Sequence, residues 1–309
     1  MEITRDPEML RAYVSPVVAI GNFDGVHAGH QAILKQATDE AKALKGGAFA
    51  LTFDPLPARV LAPERAPRLI LTPEDKLELL RGSGLDAVLV LEFTLALSRL
   101  TPREFVREYL VDRIGARTVV VGHSVSFGNQ RAGNAAVMEE LGREFGFKTR
   151  VVGPITVGKL EASSTRVREA VTEGDMAVAA KLLGRHHFVR GPVVHGRERG
   201  RTIGFPTANI RSRTELLPPD GVYATKIILP DGSVHGSITN IGMRPTFAEP
   251  ERTIEAHIFD FNRDIYDQDV KLELIERIRP EKKFESGAAL AAQIASDVQR
   301  AKAIVTLSN

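Results

Sequence analysis

The sequence contains no cysteine and no tryptophan, and aromatic residues make up only 6% of its 309 positions. Without thiols there is no disulfide, no cysteine-bound zinc, no iron–sulfur cluster and no thiol nucleophile. A cytoplasmic home fits that usage. Few aromatics also argue against a single-strand nucleic-acid binder, which stacks bases on such rings. Charge of one sign is lacking too: 41 Lys plus Arg against 39 Asp plus Glu leaves a formal +2. That balance implies neither a nucleic-acid nor a membrane partner. Long apolar runs are absent. Ala87–Leu91 is only strand-length, so no segment is long enough to span a bilayer. Met1–Leu10 lacks the apolar stretch of a signal peptide. What is present is ordinary globular composition, 43% hydrophobic and 26% charged, in a length that suits about two domains.

The two halves differ in texture. In the first, Val17–Ile20, Ala48–Phe53, Ala87–Leu91 and Thr118–Val121 are short runs rich in Val, Ile and Leu, which predicts buried strands. Between them His30–Leu44, Pro73–Arg81 and Pro102–Ile114 read as helices, with Thr72 and Thr101 as N-caps before Pro at N1. This alternation predicts a parallel sheet covered by helices on both faces. After about Leu183 the expected strands are Val222–Leu229, Val234–Asn240 and Thr253–Phe259, separated by Pro-Asp-Gly turns. Close strands joined by short turns predict an antiparallel sheet or small barrel. A final helix is expected after Ser286, with Leu290, Ile294 and Val298 on one face packing on the barrel. The boundary falls near Arg185–Arg190, giving domains 1–184 and 185–309.

Three segments carry chemistry. Gly21-Asn22-Phe23-Asp24-Gly25-Val26-His27-Ala28-Gly29-His30 joins the first strand to the first helix. Glycines there let backbone N–H groups approach a phosphate. His27 and His30 are spaced to face the same way on a helical turn. Two imidazoles so placed can donate hydrogen bonds to a phosphoryl oxygen gaining charge. Incidental histidines on a plain turn, or a metal pair lacking its third ligand, are the competing readings. Ser163-Ser164-Thr165-Arg166-Val167-Arg168 opens a helical run through Ala180. Its hydroxyls suit a helix start and phosphate oxygens, and its guanidinium forks suit a triphosphate. In Gly200-Arg201-Thr202-Ile203-Gly204-Phe205-Pro206-Thr207-Ala208-Asn209 the two glycines suit a loop closing over a nucleotide. Thr207 and Asn209 offer hard oxygen ligands for Mg²⁺. A Gly/Pro turn between strands is the plainer alternative. In the expected strand Ile254–Phe259, Glu255, His257 and Phe259 share one face, while Ile254, Ala256 and Ile258 share the other.

Together the first two segments resemble the nucleotidyltransferase superfamily, and the string GNFDGVHAGH is similar to the adenylyltransferase half of the bacterial bifunctional riboflavin kinase/FAD synthetase family. Phe53-Asp54-Pro55 and Phe127-Gly128 stand where that family has intermediate motifs. The third segment resembles the riboflavin kinase signature. It is followed in the family's order by Gly221-Val222-Tyr223-Ala224, by Asn240 to Phe247 and by Glu255-Ala256-His257-Ile258. The resemblance covers nearly the whole chain. It implies a Rossmann-like domain with a parallel sheet, then a small antiparallel barrel with a terminal helix. It also implies two reactions. Riboflavin would be phosphorylated by ATP to FMN, with Glu255 as catalytic base and Mg²⁺ on Thr207 and Asn209. FMN would then be adenylylated by a second ATP to FAD. His27 and His30 are implied as catalytic in the first half, and the residues implied there for the nucleotide and its phosphates are Gly21, Phe23, Asp24, Gly25, Gly29, Ser163, Ser164, Thr165 and Arg168. In the second they are Gly200, Gly204, Phe205 and Pro206.

The chain departs from the family pattern at three places. Leu56 stands where the family's Phe-x-Pro-His-Pro has His, Ser124 where an Asp or Asn is common, and Asp267 follows Tyr266 where Gly is common. Leu cannot donate to phosphate, and Ser is a poorer metal ligand or orienter than an acid. These changes leave open a riboflavin kinase with an impaired or repurposed adenylyltransferase half. A non-catalytic flavin-binding regulator, and adenylyl transfer to another acceptor, are further alternatives. His186, His187, His195 and His235 show no ligand spacing. A homo-oligomer is left open.

Overall fold

The computed structural model describes residues 1–196, 204–244 and 251–307, and divides the chain into two compact units, Met1–Ser164 and Thr165–Asn309. The first unit is built on a six-stranded sheet of β1 (Glu2–Thr4), β2 (Val17–Ile20), β3 (Ala48–Asp54), β4 (Ala87–Glu92), β5 (Thr118–Gly122) and β6 (Lys148–Val152). Its order is β1-β4-β3-β2-β5-β6 and every pairing is parallel. The four predicted central strands are all present. β1 and β6, at the two edges, were not anticipated. The chain order turns back between β2 and β5, the switch point at which open α/β sheets bind ligands beyond their strand ends.

Helices cover both faces. α1 (Ala28–Leu44) packs over β2, β3 and β5 with Ile33, Leu34, Ala37 and Ala41 buried. The opposite face joins Val18, Ile20, Phe49, Leu51 and Val121 to Phe105, Leu110, Ile114 and Met138. Short α2 (Pro57–Leu61) follows β3, and α3 (Pro73–Arg81) starts on the predicted Thr72 cap, whose hydroxyl accepts from Asp75 N. α4 (Leu95–Ser98) follows β4. α5 (Pro102–Phe105) opens with a capping box of Thr101 and Glu104 and runs on as a π-helix, Val106–Arg113. α6 (Ala135–Phe145) leads into β6, and a hairpin of β7 (Thr156–Val157) and β8 (Leu160–Glu161) follows. The expected single helical run to Ala180 is two helices, α7 (Ser164–Glu173) and α8 (Met176–Leu183). Gly174, at φ +82°, and the Asp175 cap separate them.

The second unit is a closed antiparallel barrel in the order β10-β13-β12-β11-β14-β9, closed by β9 against β10. Its strands are β9 (His187–Val194), β10 (Ala208–Ile210), β11 (Gly221–Ile228), β12 (Val234–Arg244), β13 (Glu251–Ile258) and β14 (Asp269–Pro280). Closure removes the exposed edges that invite aggregation. Three hydroxyls meet in its buried interior: Thr225 Oγ1 lies 2.7 Å from Ser237 Oγ and 2.8 Å from Thr239 Oγ1. Tyr223, from the Gly-Val-Tyr-Ala motif, is fully buried and donates its hydroxyl to Pro219 O at 2.5 Å. The terminal helix α9 (Gly287–Leu307) is capped by Ser286 as predicted, and lays Val298, Ala301 and Val305 on the barrel's outer face. Arg279 pairs with buried Asp297 at 2.8 Å and fixes that helix. Asp267, at a family glycine position, sits at φ +60°, the backbone region where glycine costs least and Asp is tolerated.

His187 is buried, and its Nε2–H donates to Leu216 O at 3.0 Å. Burial holds its pKa down at about 4, from an ordinary 6.5. The neutral ring is favoured only in the folded state. Stability is therefore complete above pH 6.5 and falls as the pH drops from there toward 4, because the unfolded chain takes up the proton first. The loss amounts to roughly 3 kcal/mol at about 1.4 kcal/mol per pH unit. Denaturant melts of the barrel unit at pH 7 and pH 4.5 should show this slope. His187→Gln, which can still donate to Leu216 O, should flatten it.

Candidate functional site

The predicted glycine-rich turn leaves β2 at the sheet's switch point. It coils tightly: Phe23, Gly25 and Val26 have φ of +51°, +90° and +42°. Left-handed backbone at a β-branched Val is strained, and such strain gathers where loops clamp ligands. Gly25 needs its missing side chain, since a Cβ there would meet Ile70 Cδ1 at 3.0 Å.

The helix begins at Ala28, two residues before the predicted start, because His27 is its N-cap. His27 Nδ1 accepts from His30 N at 3.4 Å. In the neutral ring the proton is therefore on Nε2, which makes that edge a donor. The His27 and His30 rings stack with centroids 3.7 Å apart, confirming that the two histidines face together. His30 Nδ1 is buried without a hydrogen-bond partner. Burial, then His27, then Lys76 hold the His30 pKa well below its ordinary value. Phe23 is fully buried and meets the His30 ring edge-on at 5.3 Å.

Asp24 turns inward. Its carboxylate accepts from Ile70 N at 3.1 Å, so the side chain fixes the loop, while its carbonyl accepts from Ser164 Oγ at 2.8 Å. That second bond brings Ser164 to the glycine turn. Gly29 makes room for the same approach, since a Cβ on it would lie 2.9 Å from Ala162 O and 3.2 Å from the His27 ring. Ser163 beside it is half-buried. Further along α7, Thr165 is exposed and Arg168 half-buried, and Arg166 pairs outward with Glu169 at 2.7 Å. Leu56 caps α2 without a side-chain bond. Ser124 is exposed, and its neighbour His123 pairs with Glu161 at 3.2 Å.

In the barrel, register does what spacing alone did not reveal. Asn209 on β10 is directly opposite Glu255 on β13, and Glu255 is opposite Asn240 on β12. The proposed base thus stands between two amides on neighbouring strands. His257, next on that face, donates Nδ1–H to Pro206 O at 2.8 Å and meets Phe205 edge-on at 5.4 Å. The loop carrying Thr207 is so pinned to the strand carrying Glu255. Gly204 is exposed at φ +85°. Gly200, like Pro245, Thr246 and Phe247, lies outside the described residues.

The donor set suits a hard divalent cation. A threonine hydroxyl and an asparagine amide, from Thr207 and Asn209, would supply oxygen, with the rest of the coordination left to phosphate and water. No cluster of three His, Asp or Glu that would hold a metal by itself occurs among the described residues. Gly196 is part of this arrangement, because a Cβ there would lie 2.2 Å from Asn209 Nδ2. Gly196→Ala should displace the Asn209 amide, a shift that a crystal structure of the variant would reveal.

The first half of the chain matches the FAD synthetase family model over residues 12–166, and the second matches the riboflavin kinase model over residues 183–305. A bifunctional riboflavin kinase/FMN adenylyltransferase of Haemophilus influenzae is 36% identical over 93% of each chain. A protein of the same description from Listeria monocytogenes is 40% identical over 94% of this chain and 92% of its own. Among solved structures, a Streptococcus pneumoniae protein titled a macrolide-efflux protein superposes with a TM-score of 0.88 and 31% identity, covering 97% of this chain and 98% of that one. Among the described residues no helix of the present chain is long and apolar enough to cross a membrane.

Proposed function

The chain belongs to the bifunctional riboflavin kinase/FMN adenylyltransferase family, and from that premise we propose how its residues divide two reactions, FMN synthesis and FAD synthesis, between residues 185–309 and 1–184. The pairing of Glu255 with Asn209 across β10 and β13 carries the kinase half of this reading. Glu255 accepts the proton of riboflavin's ribityl 5′-hydroxyl as that oxygen attacks the γ-phosphorus of ATP. The bond to the β–γ bridging oxygen breaks and ADP leaves. Proton acceptance of this kind is worth about 10²–10⁴ in rate. Thr207 and Asn209 hold a divalent cation, which we take to be Mg²⁺; when bound it neutralises phosphate charge. His257 keeps their loop against Glu255 through Pro206 O.

The adenylyl transfer needs no base, since its nucleophile, the FMN phosphate, is already an anion. Its oxygen attacks the α-phosphorus of a second ATP and pyrophosphate departs. Charge and position limit this step. His27, His30, the N–H groups of the Gly21–Val26 turn, Ser163, Ser164, Thr165 and Arg168 meet that need. Gly200, Gly204, Phe205 and Pro206 are the residues we assign to binding the kinase nucleotide. The setting we propose is cytoplasmic, without nucleic-acid or membrane partners, and compatible with a homo-oligomer. Two labelled assays test the division. Riboflavin with γ-labelled ATP should yield labelled FMN, and FMN with α-labelled ATP should yield labelled FAD. Absence of the second product would reduce the chain to a kinase alone.

A further inference from the structure

One buried cation beside the adenylyl-transfer loop has no part in the assignments above. Lys76, on the first turn of α3, is only 7% exposed. Its Nζ donates to Thr52 Oγ1 and to Phe53 O, each at 3.2 Å. Thr52 Oγ1 passes the contact on, donating to Asn22 O at 3.1 Å. The ammonium is thus wired through one hydroxyl to the backbone of the glycine turn, and by its second bond to the Phe53-Asp54-Pro55 exit of β3.

Both of its acceptors are neutral, which is an unusual way to hold a buried charge. Burial draws the Lys76 pKa below its ordinary value, and the carboxylates that favour its charged form, Asp24 and Asp54, act only through space. Each is engaged elsewhere, Asp24 with Ile70 N at 3.1 Å and Asp54 with Arg5 at 3.3 Å. A tie between two loops needs no charge; an anionic substrate does.

We propose that Lys76 is a positioning residue for adenylyl transfer, its buried ammonium fixing the Gly21–Val26 turn through Thr52 and presenting positive charge to the polyphosphate. This rests on the assignment of FAD synthesis to residues 1–184. The charge reaches His30 as well: His27 from its own helix and Lys76 from α3 both disfavour the imidazolium, while Asp24 and Asp54 face Lys76 from the loop and from β3.

The test uses the full chain and two variants. Lys76→Met keeps the length of the side chain and removes its charge and donors. FAD formation from FMN should fall about a hundredfold, as expected for loss of position and charge together. The His30 ring, followed by proton NMR, should titrate at higher pH than in the unchanged protein. That rise reports the loss of the charge, and the fall in FAD formation reports its use in the reaction. Thr52→Val keeps the cation and cuts the relay to Asn22, so FAD formation should drop about tenfold with the His30 titration unmoved. FMN formation from riboflavin monitors folding in both variants. Wild-type FAD formation in Lys76→Met, or an unmoved His30 titration, overturns the proposal, and so does wild-type activity in Thr52→Val. Failure of the unchanged protein to make FAD at all would instead overturn the assignment on which the proposal stands.

Discussion

Glu255→Gln is expected to lower FMN formation by about 10²–10⁴ while riboflavin and ATP still bind, the range for loss of a proton acceptor in the transition state. Gln keeps the volume and hydrogen-bonding shape of the side chain. The buried flanks Ile254 and Ala256 hold the strand, so the fold is unaffected. What disappears is the anionic carboxylate, since an amide oxygen accepts hydrogen bonds but is too weak a base to take the hydroxyl proton. Single-turnover phosphorylation with saturating substrates isolates this step from product release. Turnover unchanged in that assay would remove Glu255 as the base.

His27→Asn should cost FAD formation about 10²–10³, the effect of removing one donor aimed at developing charge. The choice of Asn separates two roles. As N-cap of α1, His27 accepts from His30 N, and Asn caps helices at least as well. The melting temperature should therefore hold, while the donor at Nε2 is lost. Pre-steady-state FAD formation from FMN, alongside a thermal melt, reads both. A large stability loss with kcat retained would make His27 a structural cap only.

The central strands and the three chemical segments were legible because each lies within one short stretch of sequence. Val17–Ile20 and Ala87–Leu91 are continuous apolar runs, as strands buried on both faces must be. The edges were hidden because edges are polar: β6 reads Lys-Thr-Arg-Val-Val and is partly exposed along its length. β9 was masked by Gly191 and Pro192, ordinarily breakers. Gly191 is there for close approach, since a Cβ on it would lie 2.0 Å from Arg211 O. β14 alternates charged and apolar residues, and its burial alternates with them. The histidine pair was foreseen as two residues on one helical face, yet one of them is the cap and only the other is helical. Lys76 and His257 were not legible. Their meaning depends on Asn22, Thr52 and Phe53 in one case and on Pro206 in the other, segments that meet only in the fold.

The central claim is that one chain carries two separable sites with different chemical needs. Assaying both half-reactions in both variants, Glu255→Gln and His27→Asn, tests it most directly. The account predicts that Glu255→Gln makes FAD from supplied FMN at the unchanged rate but makes no appreciable FMN, and that His27→Asn does the reverse. A variant that lost both reactions while remaining folded would contradict it.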